Sequence, residues 1–256
     1  MYRAMQRAVN DRLVAVKVLD AVEQRLLLSG QDDLNPLWRE TRFSQTVRTP
    51  SIVRVFTTGR LPDGRYYVAM EFVEGPTLEE ELRERGTFGE DEMLALVSQI
   101  AGAVGCLHQK RIVHRDIKPA NLILRIVKDG PSRVKLIDFG QAKLAHHRDD
   151  WSSLGEQWVP GTPRYMAPEQ ARGEGTTPAS DVYAVAAIAY ELLTGKPVLA
   201  LKRGNAETCL AYLRSDRPLP TLPIRDVCPS VQPAVGEVIG RCLSRDPAAR
   251  PEDADG

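Results

Sequence analysis

His114-Arg115-Asp116-Ile117-Lys118-Pro119-Ala120-Asn121, followed after a short strand-turn-strand pattern by Asp138-Phe139-Gly140, is the stretch on which the fold turns. The first segment has the form H-R-D-x-K-x-x-N, whose five set positions occur together by chance on the order of 10⁻⁴ or less in a chain of this size. Asp116 and Asn121 stand five residues apart on a loop that enters a strand, so a single turn aims both into one cleft. Taken singly, each is an ordinary turn residue; the ordered set is what carries information.

Working outward, Leu122–Val127 and Arg133–Ile137 read as two strands separated by the turn residues Asp129-Gly130-Pro131. Upstream, Leu94, Val97, Ile100/Ala101, Val104 and Leu107 recur at helical spacing and predict a long amphipathic helix ending at His108. Thr77-Leu78-Glu79-Glu80 has capping-box spacing and predicts a short helix that stops near Gly86. Before Gly75 the pattern is strand-like. In Leu13–Leu19, period two sets Val14, Val16 and Val18 on one face and Ala15 with Lys17 on the other. Ser51–Thr58 and Tyr66–Phe72 predict a hairpin around Pro62-Asp63-Gly64, and residues 34–48 predict a half-exposed helix. Downstream, residues 141–164 predict a long surface loop. Asp181–Leu193 is apolar nearly all round and predicts a buried helix, with weaker helices near 206–213 and 231–243.

A sheet-rich first third and a helical remainder predict an α+β chain in two lobes, 1–73 and 74–256, with the boundary at Glu71–Gly75. The chain has 256 residues, room for one large two-lobed domain or two ordinary ones, and carries 34 basic against 34 acidic side chains. That balance argues against a dedicated nucleic-acid binder, which needs a basic surface. Cys106, Cys209, Cys228 and Cys242 form no C-x-x-C pair, so neither a disulfide framework nor structural zinc is expected, and a reducing, cytoplasmic setting fits. No apolar run reaches the length of a membrane span, and the N-terminus has no signal-peptide pattern. An anchor outside the chain is a separate matter.

The motif set resembles that of the eukaryotic-type protein kinases, in the form found in bacterial Ser/Thr kinases, and the resemblance runs from Tyr2 to Arg250. It implies a two-lobed kinase fold that transfers the γ-phosphoryl group of ATP to protein Ser/Thr hydroxyls with Mg²⁺ or Mn²⁺. By this resemblance Asp116 is the base that receives the substrate hydroxyl's proton, and Lys118 contacts the γ-phosphate. Asn121 and Asp138 hold the metal ions. Lys17, in Val14-Ala15-Val16-Lys17, matches the lysine that binds the α/β-phosphates, with Glu40 as its ion-pair partner and Glu23 as the competitor. Ala15 covers the adenine, Glu71 and Val73 supply the hinge backbone, and Ile123 forms the floor beneath the base. Gly161–Gln170 resembles the loop that receives the substrate, with Thr162 bracing Asp116 and Lys118. Glu169 and Arg250 match a buried ion pair, and Asp181 matches the residue that anchors the catalytic-loop backbone. Arg115 marks the subclass governed by phosphorylation in the long loop, for which Ser152 and Ser153 are candidates; Glu156 offers a built-in charge instead.

The pattern departs from the family at its start. No G-x-G-x-x-G precedes Lys17, and Met1-Tyr2-Arg3-Ala4 matches the residues just after that loop. The resemblance therefore implies an N-lobe lacking its first strand and phosphate loop and a C-lobe short of its last helix. Weak ATP affinity is expected, to be restored by about 15–30 upstream residues, the size of one strand and the loop. The rival readings are a non-catalytic scaffold with the same fold and a kinase-like small-molecule phosphotransferase. Gly161–Glu169 and Lys118 speak against the latter.

Overall fold

Val14 and Ala15 point to opposite faces of a strand, yet both are buried, which places that strand inside a sheet covered on both sides. The computed structural model describes residues 1–6, 11–19, 49–125, 132–138, 143–144, 163–199, 206–218 and 223–254. Within them, β1 (Tyr2–Gln6), β2 (Arg12–Val18), β3 (Val55–Arg60) and β4 (Tyr66–Glu71) form an antiparallel sheet in the order β1-β2-β4-β3. The register sets Ala15 opposite Met70 and Lys17 opposite Val68, so the alternation expected from the valines holds. The β3–β4 hairpin turns at Gly64, whose φ of 91° suits a residue without a Cβ. The helix expected over 34–48 lies outside the described residues.

The strand expected from Ser51 begins only at Val55. Residues 51–53 instead meet the other half of the molecule: Val53 N–H donates to the Leu136 carbonyl at 2.9 Å, and Leu136 N–H to the Ser51 carbonyl at 2.8 Å. A backbone already paired in this way is not available to β4.

Beyond the sheet the chain is helical: α1 (Leu78–Arg85), α2 (Glu90–His108), α3 (Pro168–Arg172), α4 (Pro178–Thr194), α5 (Ala206–Arg214), α6 (Ile224–Val227) and α7 (Pro233–Cys242). Thr77 caps α1 as its spacing predicts, its hydroxyl accepting from Glu80 N–H while the Glu80 carboxylate accepts from Thr77 N–H at 2.7 Å. In α2 the buried stripe is Met93, Leu96, Ile100, Ala103, Val104 and Leu107. Leu94, expected to face inward, is 41% exposed. The stripe begins one residue earlier because Met93 and Leu96 keep the 3.6-residue phase with Ile100. In α4 every residue from Ala179 to Leu193 is buried except Glu191, matching its nearly uniform apolarity, and the helix starts three residues before Asp181. One apolar core runs from Val68 and Met70 in the sheet through Leu78, Ile100 and Leu107 to Tyr183 and Ile188 in α4.

Short strands β5 (Ile112–Val113), β6 (Leu122–Arg125), β7 (Arg133–Leu136) and β8 (Lys143–Leu144) line the region between sheet and helices, with β6 and β7 paired and β5 paired to β8. The β6–β7 turn and most of the loop expected over 141–164 lie outside the described residues. The segment leaving β4 crosses β6 closely: Leu124 N–H donates to the Pro76 carbonyl at 2.8 Å, and Thr77 bridges to Ile123. Gly75 makes this crossing possible. Its φ is 146°, and a Cβ there would stand 2.0 Å from the Leu124 carbonyl oxygen.

Candidate active site

Between β5 and β6 the chain runs without regular structure until Pro119–Asn121 makes a single 3-10 turn. That turn brings Asn121 back over Asp116. The Asn121 amide donates to the Asp116 carbonyl at 2.8 Å and to its carboxylate at 3.1 Å. Lys118 Nζ donates to both carboxylate oxygens of Asp116, at 3.0 and 2.8 Å. Asp116, Lys118 and Asn121 thus form one hydrogen-bonded cluster, as their spacing predicts. Both Asn121 contacts use its Nδ2, which leaves the amide oxygen as the atom suited to a cation.

The loop is held from below by a buried carboxylate. Asp181, at the start of α4, accepts His114 N–H and Arg115 N–H at 2.8 Å each and the His108 Nε2–H at 3.0 Å. Burial alone pushes the Asp181 carboxyl upward, but the His108 hydrogen bond and the neighbouring histidines outweigh it and hold the group below the usual aspartate range. His108 was not singled out in the sequence, where it is only the last residue of a helix. Its Nδ1 accepts Ala254 N–H at 3.2 Å, so it joins the C-terminal segment to the loop anchor. His114 is wholly buried, and that burial depresses its pKa. Its Nδ1 accepts Asp116 N–H at 3.3 Å, which fits a neutral ring.

Asp138 arrives from β7. Ile137 N–H donates to the Asn121 carbonyl at 2.9 Å, which sets Asp138 beside the cluster. Lys17 reaches across from β2 and its Nζ donates to Asp138 Oδ1 at 2.8 Å. Glu40, its expected partner, lies outside the described residues, as do Glu23, Phe139, Gly140, Thr162, Ser152, Ser153 and Glu156. Arg115 and Asp138 have φ values of 72° and 67°, in the left-handed region that non-glycine residues seldom adopt. Backbone held there costs about 1–3 kcal/mol per residue and persists where surrounding contacts over-determine it.

The residues expected around an adenine base come from two sheets, Ala15 and Glu71 from the four-stranded one and Ile123 from β6, with Val73 on the segment leaving β4. Ala15 pairs in register with Met70, both buried, and Glu71 and Val73 follow Met70 directly. Ile123 lies across β6–β7, registered against Lys135. Lys135 was not foreseen: its Nζ donates to Glu71 Oε2 at 2.7 Å. On the opposite side, the Pro163–Tyr165 turn presents the expected substrate loop. Tyr165 O–H donates to Glu191 Oε2 at 2.5 Å, and Gln170 Nε2 donates to the Arg115 carbonyl at 3.2 Å. Glu169 meets Arg250 through two parallel bonds of 2.8 and 2.9 Å, both side chains buried, and Ser180 O–H donates to the same carboxylate at 2.7 Å.

Asp116 and Asn121 thus make an oxygen-bearing cluster beside Asp138, with Lys118 on the Asp116 carboxylate and Lys17 on that of Asp138. Residues 1–254 match the protein kinase domain family. The chain is 34% identical over its whole length to the serine/threonine-protein kinase pkn3 of Myxococcus xanthus, covering 45% of that protein. It is 35% identical over 95% of its length to the serine/threonine-protein kinase PknL of Mycobacterium bovis, covering 57% of it. It is also 33% identical over 96% of its length to the serine/threonine-protein kinase PrkC of Bacillus subtilis, covering 35% of it. The chain therefore spans between about a third and somewhat over half of these relatives. With its small antiparallel sheet, its helical remainder and this cluster between them, the chain belongs to the protein kinase domain family and has the two-lobed α+β kinase fold.

Proposed function

We propose that this chain transfers the γ-phosphoryl group of ATP to serine or threonine hydroxyls of a protein substrate, with its lobes dividing at residues 73/74. The observation that carries the reading is the convergence of Lys118 and Asn121 on the Asp116 carboxylate beside the Lys17–Asp138 pair. Asp116 would orient the acceptor hydroxyl and receive its proton at a carboxylate oxygen, giving a more nucleophilic oxygen for in-line attack on the γ-phosphorus as ADP leaves. Lys118, bound to that carboxylate, would balance charge on the transferred group. Lys17 serves the α/β-phosphates, and Glu40 is assigned as its partner. Ala15, Ile123 and the Glu71 and Val73 backbone form the adenine pocket. Asn121 and Asp138 would hold Mg²⁺ or Mn²⁺, which when bound neutralises phosphate charge. No helix among the described residues is long and apolar enough to cross a membrane, and the four thiols are unpaired, which fits a cytoplasmic, reducing setting.

The test is transfer of labelled phosphate from ATP to a protein acceptor, run beside Asp116→Ala. Loss of a general base lowers the rate about 10²-fold or more. Equal transfer by the two proteins, or none by either, would assign the chain to the scaffold reading instead.

A further inference from the structure

Lys135 belongs to none of the motifs, yet its ammonium group reaches the proposed hinge residue Glu71 from the strand that leads to Asp138. It sits on β7 directly opposite Ile123 and three residues before Asp138. Its Nζ donates to Glu71 Oε2 at 2.7 Å and approaches the Ile52 carbonyl oxygen at 3.4 Å. The same Glu71 oxygen accepts Arg54 N–H at 3.4 Å, while Glu71 N–H donates to the Arg54 carbonyl at 2.8 Å. The Lys135 side chain is 14% exposed and that of Glu71 31%, so the pair is shielded more than a surface bridge. It also spans the junction where Ser51, Val53 and Leu136 join by backbone hydrogen bonds.

We infer that Lys135 is a positioning residue for ATP, fixing the separation between the hinge backbone at Glu71 and the metal-binding carboxylate at Asp138. This rests on the nucleotide reading proposed above. On that reading the adenine end of the ligand is gripped by the segment leaving β4, and the phosphate end by Lys17 of β2 and by Asp138 beyond β7. Backbone bonds through Ser51, Val53 and Leu136 and the Lys17–Asp138 pair already join the two sides, and none of them holds the Glu71 side chain. Lys135 adds that tie, because it is covalently close to Asp138 and ionically bound to Glu71. The arrangement acts on binding more than on chemistry: Lys135 contacts none of Asp116, Lys118 or Asn121 among the hydrogen bonds of the described residues. A fixed distance between two grips lowers the entropy lost when a long ligand bridges them.

The experiment measures ATP KM and kcat, together with the dissociation constant of ADP, for the unaltered chain and for Lys135→Met, Lys135→Arg, Glu71→Gln and the Lys135→Met/Glu71→Gln double variant. Expected are a KM and an ADP dissociation constant about five- to tenfold higher for Lys135→Met, the scale of one charge-assisted contact, with kcat within about twofold. Lys135→Arg restores most of the affinity, and the double variant is no weaker than Lys135→Met alone. An unchanged KM, or a fall in kcat at constant KM, overturns the inference. Equal defects in the methionine and arginine variants overturn it too. Failure of the unaltered chain to bind ADP overturns the nucleotide reading and this inference with it, an outcome distinct from the others.

Discussion

At the scale of single residues, neighbours in the core carry opposite consequences. Arg250 and Glu169 are bound by two parallel hydrogen bonds with side-chain exposures of 0% and 5%. Replacing Arg250 by Met leaves Glu169 charged and buried with, among the described residues, only the Ser180 hydroxyl to satisfy it. A loss of about 3–5 kcal/mol is expected, read as a lower denaturation midpoint with unchanged slope. The Arg250 guanidinium also lies over the Tyr183 ring, 5.0 Å from its centroid. The Tyr183 hydroxyl is buried and has no hydrogen-bond partner among the described residues. Tyr183→Phe therefore removes a desolvated polar atom without losing a bond, and stability should hold or rise by up to about 1 kcal/mol. A loss comparable with that of Arg250→Met would mean that the hydroxyl is satisfied in the folded protein. Both members of the ion pair were legible in the sequence through their motifs. The unsatisfied hydroxyl was not, because nothing in an apolar helix pattern tells where a tyrosine's oxygen ends.

Among the elements, the connection from β4 to α1 is tightly constrained. Gly75 passes so close to β6 that any Cβ would overlap the Leu124 carbonyl, and its φ of 146° lies outside the range of L side chains. Gly75→Ala should cost about 1–3 kcal/mol from backbone strain, with more from the overlap. The thermal midpoint of the variant measures this, and a shift under one degree would show that the crossing relaxes freely. The same element-level view explains which expectations needed correction. The cap of α1 depends on four consecutive residues and was read correctly from Thr77 and Glu80. The start of β3 and the inward face of α2 depend on distant partners. Residues 51–53 pair with Leu136 rather than with β4, and the buried stripe of α2 is set by its packing on α4 and β7. A local periodicity with two nearly equal phases leaves Leu94 and Met93 indistinguishable until that packing exists.

For the whole molecule, the buried ionisable groups set the response to pH. Burial lowers the folded pKa of His114 below its ordinary 6.5. The unfolded chain therefore binds the proton first, and the stability due to the neutral ring is complete above pH 6.5. It is lost as pH falls from there through the folded value, with a slope of at most about 1.4 kcal/mol per pH unit. Asp181, held below its ordinary 3.8, adds a second loss at lower pH, present above that value and lost as pH falls through the folded one. Glu191, raised by burial, works in the opposite sense, its ionisation costing stability as pH rises above 4.5 through its folded value. Denaturant unfolding between pH 5 and 8 should show stability declining below pH 6.5, and His114→Asn should flatten that limb. An equally steep limb in the variant would assign the dependence to another group. Strand and helix patterning alone determined the α+β class, and the order of motifs determined the family, because patterning and motifs both depend on residue type and short spacing along the chain. The family resemblance implies the roles expected of Asp116, Lys118, Asn121 and Asp138. Only the tertiary structure decided that Asp181 carries His108 as well as the loop, that Lys135 ties Glu71 to the strand of Asp138, and that Tyr165 rests on Glu191. Those contacts join residues far apart in the chain, and their distances are set by how the sheet and helices pack, a quantity that no local spacing encodes.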